Sequence, residues 1–213
     1  MSDAQKRSYD TLYHIYCLKA GTGGIDTAEF FGNNHPLIIE IGFGMGRATA
    51  EIAEQHPEIN YLGIEVHRPG IGRLLWEIEK RELQNLRIIE GDAVEILKYR
   101  INDASVSAFH IFFPDPWPKK RHHKRRLITR PFTDLLEAKL IPAGYIYMVS
   151  DWADYADWAL RELSSTPGLA NKYQLFADGQ NWRPLTEFEL KGIKNQNKIK
   201  ELYFLKTGNA DEK

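Results

Sequence analysis

Residues 112–126 read Phe-Phe-Pro-Asp-Pro-Trp-Pro-Lys-Lys-Arg-His-His-Lys-Arg-Arg, and their types and spacing suit work on a nucleobase held within a polynucleotide. An apolar run ends at a lone carboxylate, Asp115, set between Pro114 and Pro116 and one residue from Trp117. The prolines fix φ and remove backbone donors, so the turn is stiff. A stiff turn carrying an acid and an aromatic ring suits a planar polar ring. Lys119, Lys120, Arg121, Lys124, Arg125 and Arg126 follow, with His122 and His123 and no acid among them. Such a density of cations suits backbone phosphates, although charge runs are commonly solvated surface. Trp117 reads either as a stacking platform for a base or as an aromatic plugging the end of a strand. Two adjacent histidines rarely chelate one ion and no third ligand stands nearby, so no metal site is expected.

A second constellation is Glu40 with the turn Gly42-Phe43-Gly44-Met45-Gly46. Glycines at alternate positions let the chain pass close under a ligand. A dinucleotide site would place the third glycine one residue later, with pyrophosphate on the following helix N-terminus. A carboxylate at Glu40 would repel pyrophosphate and attract an ammonium or sulfonium group. Glu65 lies 19 residues after Gly46, a spacing suited to ribose hydroxyls. Gly91-Asp92 would accept from an adenine amino group. The set fits S-adenosylmethionine, which has an amino acid tail, a ribose and an adenine but no phosphate. The competing reading of Glu40 ties it to local backbone N–H groups; that of Asp151, beside Trp152, makes it the N-cap of the next helix rather than an RNA contact.

The elements that must position these groups are legible as alternating apolar runs and amphipathic stretches. Strands are expected at 37–41, 61–66, 86–89, 107–113 and 144–149. Helices are expected at 47–56, 71–83, 93–100, 131–140 and 155–163. This alternation predicts an α/β fold, a central, mostly parallel sheet with helices on both faces. Open parallel sheets bind ligands beyond the carboxyl ends of their strands, and each of the five strand ends has an acid nearby: Glu40, Glu65, Asp92, Asp115 and Asp151. Residues 173–176 and 199–205 are expected to add antiparallel strands, with 181–197 a long polar loop carrying Arg183, Thr186 and Glu189. The first 35 residues read as a partly irregular arm with a helix near 10–18, and residues 36–213 as a single domain.

Composition sets the outer bounds. The chain of 213 residues is 43% hydrophobic, enough for a core, and its single cysteine, Cys17, excludes an internal disulfide and fits a reducing compartment. The start lacks the apolar core of a signal peptide, and no run approaches the roughly 20 apolar residues that span a bilayer, so a soluble, cytoplasmic protein is expected. The net charge of −1 is unevenly spread: seven of the 28 Lys and Arg fall within 119–130, leaving 21 cations against 29 acids elsewhere, a net −8. The cationic surface is therefore local, as for docking one region of a substrate.

Glu40-Ile-Gly-Phe-Gly-Met-Gly46, Phe113-Pro-Asp-Pro-Trp117, Lys124-Arg-Arg126 and Ser150-Asp151 together resemble the bacterial tRNA (guanine-N7-)-methyltransferases, over about residues 31–204. The resemblance implies a Rossmann-like class I methyltransferase fold, S-adenosylmethionine as donor, and guanine-46 of the tRNA variable loop as target. It implies cofactor acids at Glu40, Glu65, Asp92 and Asp115, with Asp115 also catalytic. It implies tRNA contacts at Lys119, Asp151 and Thr186-Glu187-Phe188-Glu189. The chain departs from the family at Glu187, where a cation is usual, in the stretch 194–201, and in its short N-terminal arm. The readings that stand against it are a non-catalytic RNA-binding module with this fold, an NAD-dependent oxidoreductase, and a methyltransferase of small molecules.

Overall fold

The computed structural model describes residues 1–19 and 21–208, and of Glu187 the backbone alone. The described residues form two compact units, one of residues 1–102 with 181–184, the other of residues 103–180 with 185 onward.

The first unit is a parallel α/β layer. Its strands are β1 (Cys17–Lys19), β2 (Leu37–Ile41), β3 (Asn60–Glu65) and β4 (Leu86–Glu90), in the order β1-β4-β3-β2, with every pairing parallel. All five residues of β2 are buried, as an apolar run covered on both faces requires. Helices α1 (Asp3–Tyr16), α2 (Thr27–Phe31), α3 (Arg47–Gln55), α4 (Arg68–Arg81) and α5 (Ala93–Tyr99) complete it. Helix α3 stops short of Pro57, α4 has a proline in its first turn, and Asp92 caps α5 through the backbone N–H groups of Val94 and Glu95.

The N-terminal arm is more regular than expected. Its helix runs over 3–16 rather than 10–18, because Ser2 and Gln5 close a capping box ahead of it. Helix α1 lies so close to α4 that a Cβ on Gly72 would sit 2.4 Å from the Gln5 carbonyl oxygen. The Tyr9 hydroxyl donates to Glu90 at 2.7 Å.

In the second unit the order is β5-β6-β8-β7, from β5 (Val106–Phe112), β6 (Leu140–Ser150), β7 (Leu169–Asn171) and β8 (Lys200–Lys206). β5 and β6 are parallel; β8 runs antiparallel to both β6 and β7. Helices α6 (Arg130–Lys139), α7 (Ala153–Ser164) and α8 (Glu187–Lys194) accompany them, with a short 3₁₀ helix over Lys120–Arg125.

Two expectations fail in this unit. The strand placed at 173–176 lies instead at 169–171. The Asn171 side chain accepts from Tyr173 N and donates to Leu175 O, turning the chain where an extension was expected. The polar stretch 181–197 holds α8, whose N-cap is Thr186 with its hydroxyl accepting from Glu189 N at 3.1 Å. Among the described residues no helix is long and apolar enough to cross a membrane.

Candidate active site

The first unit builds one set of groups around its glycine turn. Gly42, Gly44 and Gly46 all have positive φ (74°, 58° and 70°), the left-handed region that favours glycine. The turn is clamped from three sides. Phe43 is buried over Gly63, where a Cβ would meet its ring at 2.6 Å. A Cβ on Gly70, in the first turn of α4, would sit 1.9 Å from the Gly44 carbonyl oxygen. From the end of β3, one oxygen of Glu65 accepts from Gly44 N at 2.9 Å and the other from Val66 N and His67 N. Glu65 thus fixes the turn's shape first. With about four acceptor positions on a carboxylate and three taken, room remains for a further donor such as a hydroxyl.

Glu40 is different in kind. It is only 4% exposed at the end of β2. Burial pushes its carboxyl up to about 8, partly offset by the Thr49 hydroxyl and reinforced by the negative Glu65. A carboxyl held in this way is neutral at neutral pH and gains most from a cationic partner. Asp92 is exposed, with one oxygen spent on capping α5 and the other turned to no partner among the described residues.

The second unit carries the other set. After β5 the backbone turns sharply: Phe113 and Trp117 both have positive φ (51° and 44°) and bracket Pro114-Asp115-Pro116. Left-handed conformations at two bulky residues are strained and persist only where the surroundings impose them. Phe113 N donates to Val149 O at 2.8 Å, and its ring stacks on Phe188 at 6.5 Å between centroids. Asp115 is exposed, and among the described residues no hydrogen bond or ion pair engages its carboxylate.

The basic run is ordered as the 3₁₀ helix, whose repeat of three residues sorts its side chains. His122 and Arg125 face Trp117, at 5.9 Å edge-on and 5.0 Å over the ring. His123 and Arg126 face Trp158, at 5.9 and 5.2 Å. Arg121 and Lys124 point to solvent, and Lys119 and Lys120 are exposed as well.

A profile for the family described as "Putative methyltransferase" matches residues 34–202. The tRNA (guanine-N(7)-)-methyltransferase of Nitrosospira multiformis is 44% identical over 99% of this chain and 92% of its own. That of Treponema pallidum (strain Nichols) is 56% identical over 80% of this chain and 67% of its own. The chain belongs to the tRNA (guanine-N(7)-)-methyltransferase family. Among solved structures, the 16S rRNA methyltransferase KamB covers 88% of this chain and 96% of its own at a TM-score of 0.62 and 12% identity. A SAM-dependent O-methyltransferase from Thermotoga maritima covers 87% and 65% at 0.55 and 16%. Both show the Rossmann-like methyltransferase fold.

Within this methyltransferase, several residues expected to meet substrate are otherwise employed. Arg126 is the clearest correction. Its side chain is fully buried, donating from Nε to the Pro116 carbonyl at 3.0 Å and from Nη2 to Asp154 at 2.5 Å, so it does not grip phosphate. Trp117 is half-buried rather than a core plug, with Arg125 over one face of its ring at 5.0 Å. Asp151 does not cap α7, whose N-cap is Trp152; it accepts from Asn197 Nδ2 at 3.1 Å and abuts Gly192 of α8.

Of the stretch 186–189, Thr186 caps α8 and Glu189 is 5% exposed, while Phe188 is 58% exposed. The side chain of Glu187 lies outside the described residues. The sequence carries a start signal for this helix, Thr186-x-x-Glu189, the spacing of a capping box.

Proposed function

We propose that this chain transfers a methyl group from S-adenosylmethionine to N7 of guanine-46 in the variable loop of tRNA. The observation that carries the reading is the pairing of two chemistries in one family member. A buried carboxyl beside a left-handed glycine turn suits a cationic, phosphate-free cofactor, and an unengaged acid leads into an exposed cationic helix. Glu40 would meet the amino acid tail and Glu65 the ribose, with Asp92 at the adenine amino group through its uncommitted oxygen. A pyrophosphate-bearing dinucleotide fits poorly, because an anion beside the already buried Glu40 would hold its carboxyl neutral and gain no countercharge from it.

When bound, the cofactor supplies an electrophilic methyl on a sulfonium. Guanine N7 has an in-plane lone pair and no proton, so its attack forms the N–C bond as the C–S bond breaks, the sulfur keeps the electron pair, and no general base is needed. What this chain must do is place the base. Asp115 can accept from N1–H and the exocyclic amino group, which orients the ring, and its charge offsets the positive charge that grows on the base. Lys119, Lys120, Arg121 and Lys124 would hold phosphates, with Arg125 on Trp117 beside them. Phe188 offers an exposed face for a base unstacked from the tRNA.

The test is methylation of bulk tRNA with a labelled methyl donor, followed by chain scission at N7-methylguanine. A single site at position 46 is expected. Incorporation elsewhere would overturn the target. No incorporation, with tRNA still bound, would leave the RNA-binding module. Titration with NADH against S-adenosylhomocysteine separates the oxidoreductase.

A further inference from the structure

Arg126 presents a puzzle of placement. It belongs to the most cationic stretch of the chain, yet its side chain is wholly buried, and among the described residues its Nη1 has no hydrogen-bond partner. The guanidinium lies over Tyr155 at 5.1 Å and Trp158 at 5.2 Å, both on α7. The same two residues hold the backbone just beyond it: Trp158 Nε1 donates to Ile128 O at 2.6 Å, and Ile128 N donates to the Tyr155 hydroxyl at 3.2 Å. Its ion-pair partner, Asp154, is 62% exposed and is held below the usual carboxylate range by the Arg126 hydrogen bond. An ion pair whose carboxylate stays largely in water adds little net stability. A role in stability alone therefore accounts poorly for a buried arginine with a nitrogen left unpaired.

The remaining bond of Arg126 supplies the reason. Nε donates to the carbonyl of Pro116, the residue that follows Asp115. The turn 113–117 is strained at both ends and must be imposed from outside. Its first end is held by Phe113 N on Val149 O. Its second end is held by Arg126, with Arg125 on Trp117 beside it. We infer that Arg126 is a positioning residue for methyl transfer: a planar fork that spans the Pro116 carbonyl and Asp154, and so fixes Asp115 relative to α7. The inference rests on Asp115 orienting the target base. Lysine cannot replace this fork, since one ammonium on a flexible stem does not match both acceptors and both aromatic faces.

The experiment compares wild type, Arg126→Lys, Arg126→Gln and Asp154→Asn in single-turnover and steady-state methylation of tRNA, with thermal unfolding and the salt dependence of tRNA binding. For Arg126→Lys a fall in kcat of about 10- to 100-fold is expected, with KM for either substrate within about threefold and the salt slope unchanged. Asp154→Asn should show a smaller fall of the same kind. Normal kcat in folded Arg126→Lys overturns the inference, as does a salt slope shallower by about one in Arg126→Gln, where removal of the charge would expose a lost phosphate contact. If Arg126→Lys does not fold, normal kcat in Asp154→Asn overturns it. A wild type inert toward tRNA would instead sink the proposed function. The positioning claim is then decided by a fluorotryptophan resonance at Trp117, assigned with Trp117→Phe, which Asp154→Asn must move.

Discussion

Binding of the cofactor should release a proton, and the structure says from where. Glu40 is buried and pushed up to about 8, so at pH 6.5 it is about 97% protonated before binding, by the Henderson–Hasselbalch relation. An amino acid tail has an α-amino group that titrates near 7.7–8.0 and is already charged at that pH. Bringing this ammonium beside Glu40 favours the carboxylate, so close to one proton should leave per cofactor bound. The assay is calorimetry with S-adenosylhomocysteine at pH 6.5 in buffers of different ionisation enthalpy; the slope of observed enthalpy against buffer enthalpy counts the protons. The affinity should rise about tenfold from pH 6 to pH 7, peak near pH 8 and fall again as the ammonium loses its proton. The sign for the unliganded protein is opposite. Between about 4.5 and 8 the folded state holds a proton that the unfolded chain has lost, so stability falls as pH rises through that window, by on the order of 4–5 kcal/mol at most. Glu40→Gln should abolish both the proton release and this pH slope. A buffer-independent enthalpy in the wild type, with affinity flat from pH 6 to 8, would refute the assignment of Glu40 to a cationic ligand.

Three further outcomes follow from the geometry. Asp115→Asn should bind S-adenosylhomocysteine within a few-fold of wild type and lose about 10²- to 10³-fold in turnover; near-normal turnover removes Asp115 from the central role. Gly70→Ala should force its Cβ off the Gly44 carbonyl oxygen, lowering stability by about 1–3 kcal/mol in denaturant melts and weakening cofactor binding more than tenfold; unchanged binding would show that the clamp does not shape the turn. Lys120→Gln with Lys124→Gln should make the salt slope of tRNA binding shallower by about 1.4–1.8, measured by filter binding from 50 to 200 mM salt; an unchanged slope returns the basic helix to ordinary solvated surface.

The parallel strands and the helices that follow them were legible because burial on both faces leaves uninterrupted apolar runs, as in Leu37–Ile41, and because prolines and glycines punctuate them. The glycine turn was legible as a turn, but not its clamps. Gly63 and Gly70 lie inside β3 and α4, away from it in the chain, and only the folded backbone shows what each of them admits. The helices at 3–16 and 187–194 were displaced or missed because their apolar faces are thin: Leu190 and Ile193 are exposed, and α1 buries only Ser8 fully. Hydrophobic periodicity has little to work on in such segments. Their start signals, Ser2-x-x-Gln5 and Thr186-x-x-Glu189, are polar and local, and depend on recognising cap chemistry.

The basic run shows the opposite failure, a signal read correctly in sum and wrongly in its parts. Composition makes its six cations equivalent, and no apolar residue marks an inward face. A 3₁₀ helix removes that equivalence, because residues three apart share an edge. One edge, His122 and Arg125, rests on Trp117; the next, His123 and Arg126, rests on Trp158; the third, Arg121 and Lys124, is left to solvent. The segment therefore does two jobs with one kind of residue. Its solvent edge and the exposed Lys119 and Lys120 suit phosphates, while its Trp158 edge fastens the strained turn that carries Asp115. Swapping a cation between edges is not conservative. Moving the inward guanidinium to a neighbouring position would keep the net charge and the long-range attraction for RNA, yet leave the Pro116 carbonyl and Asp154 without their common donor.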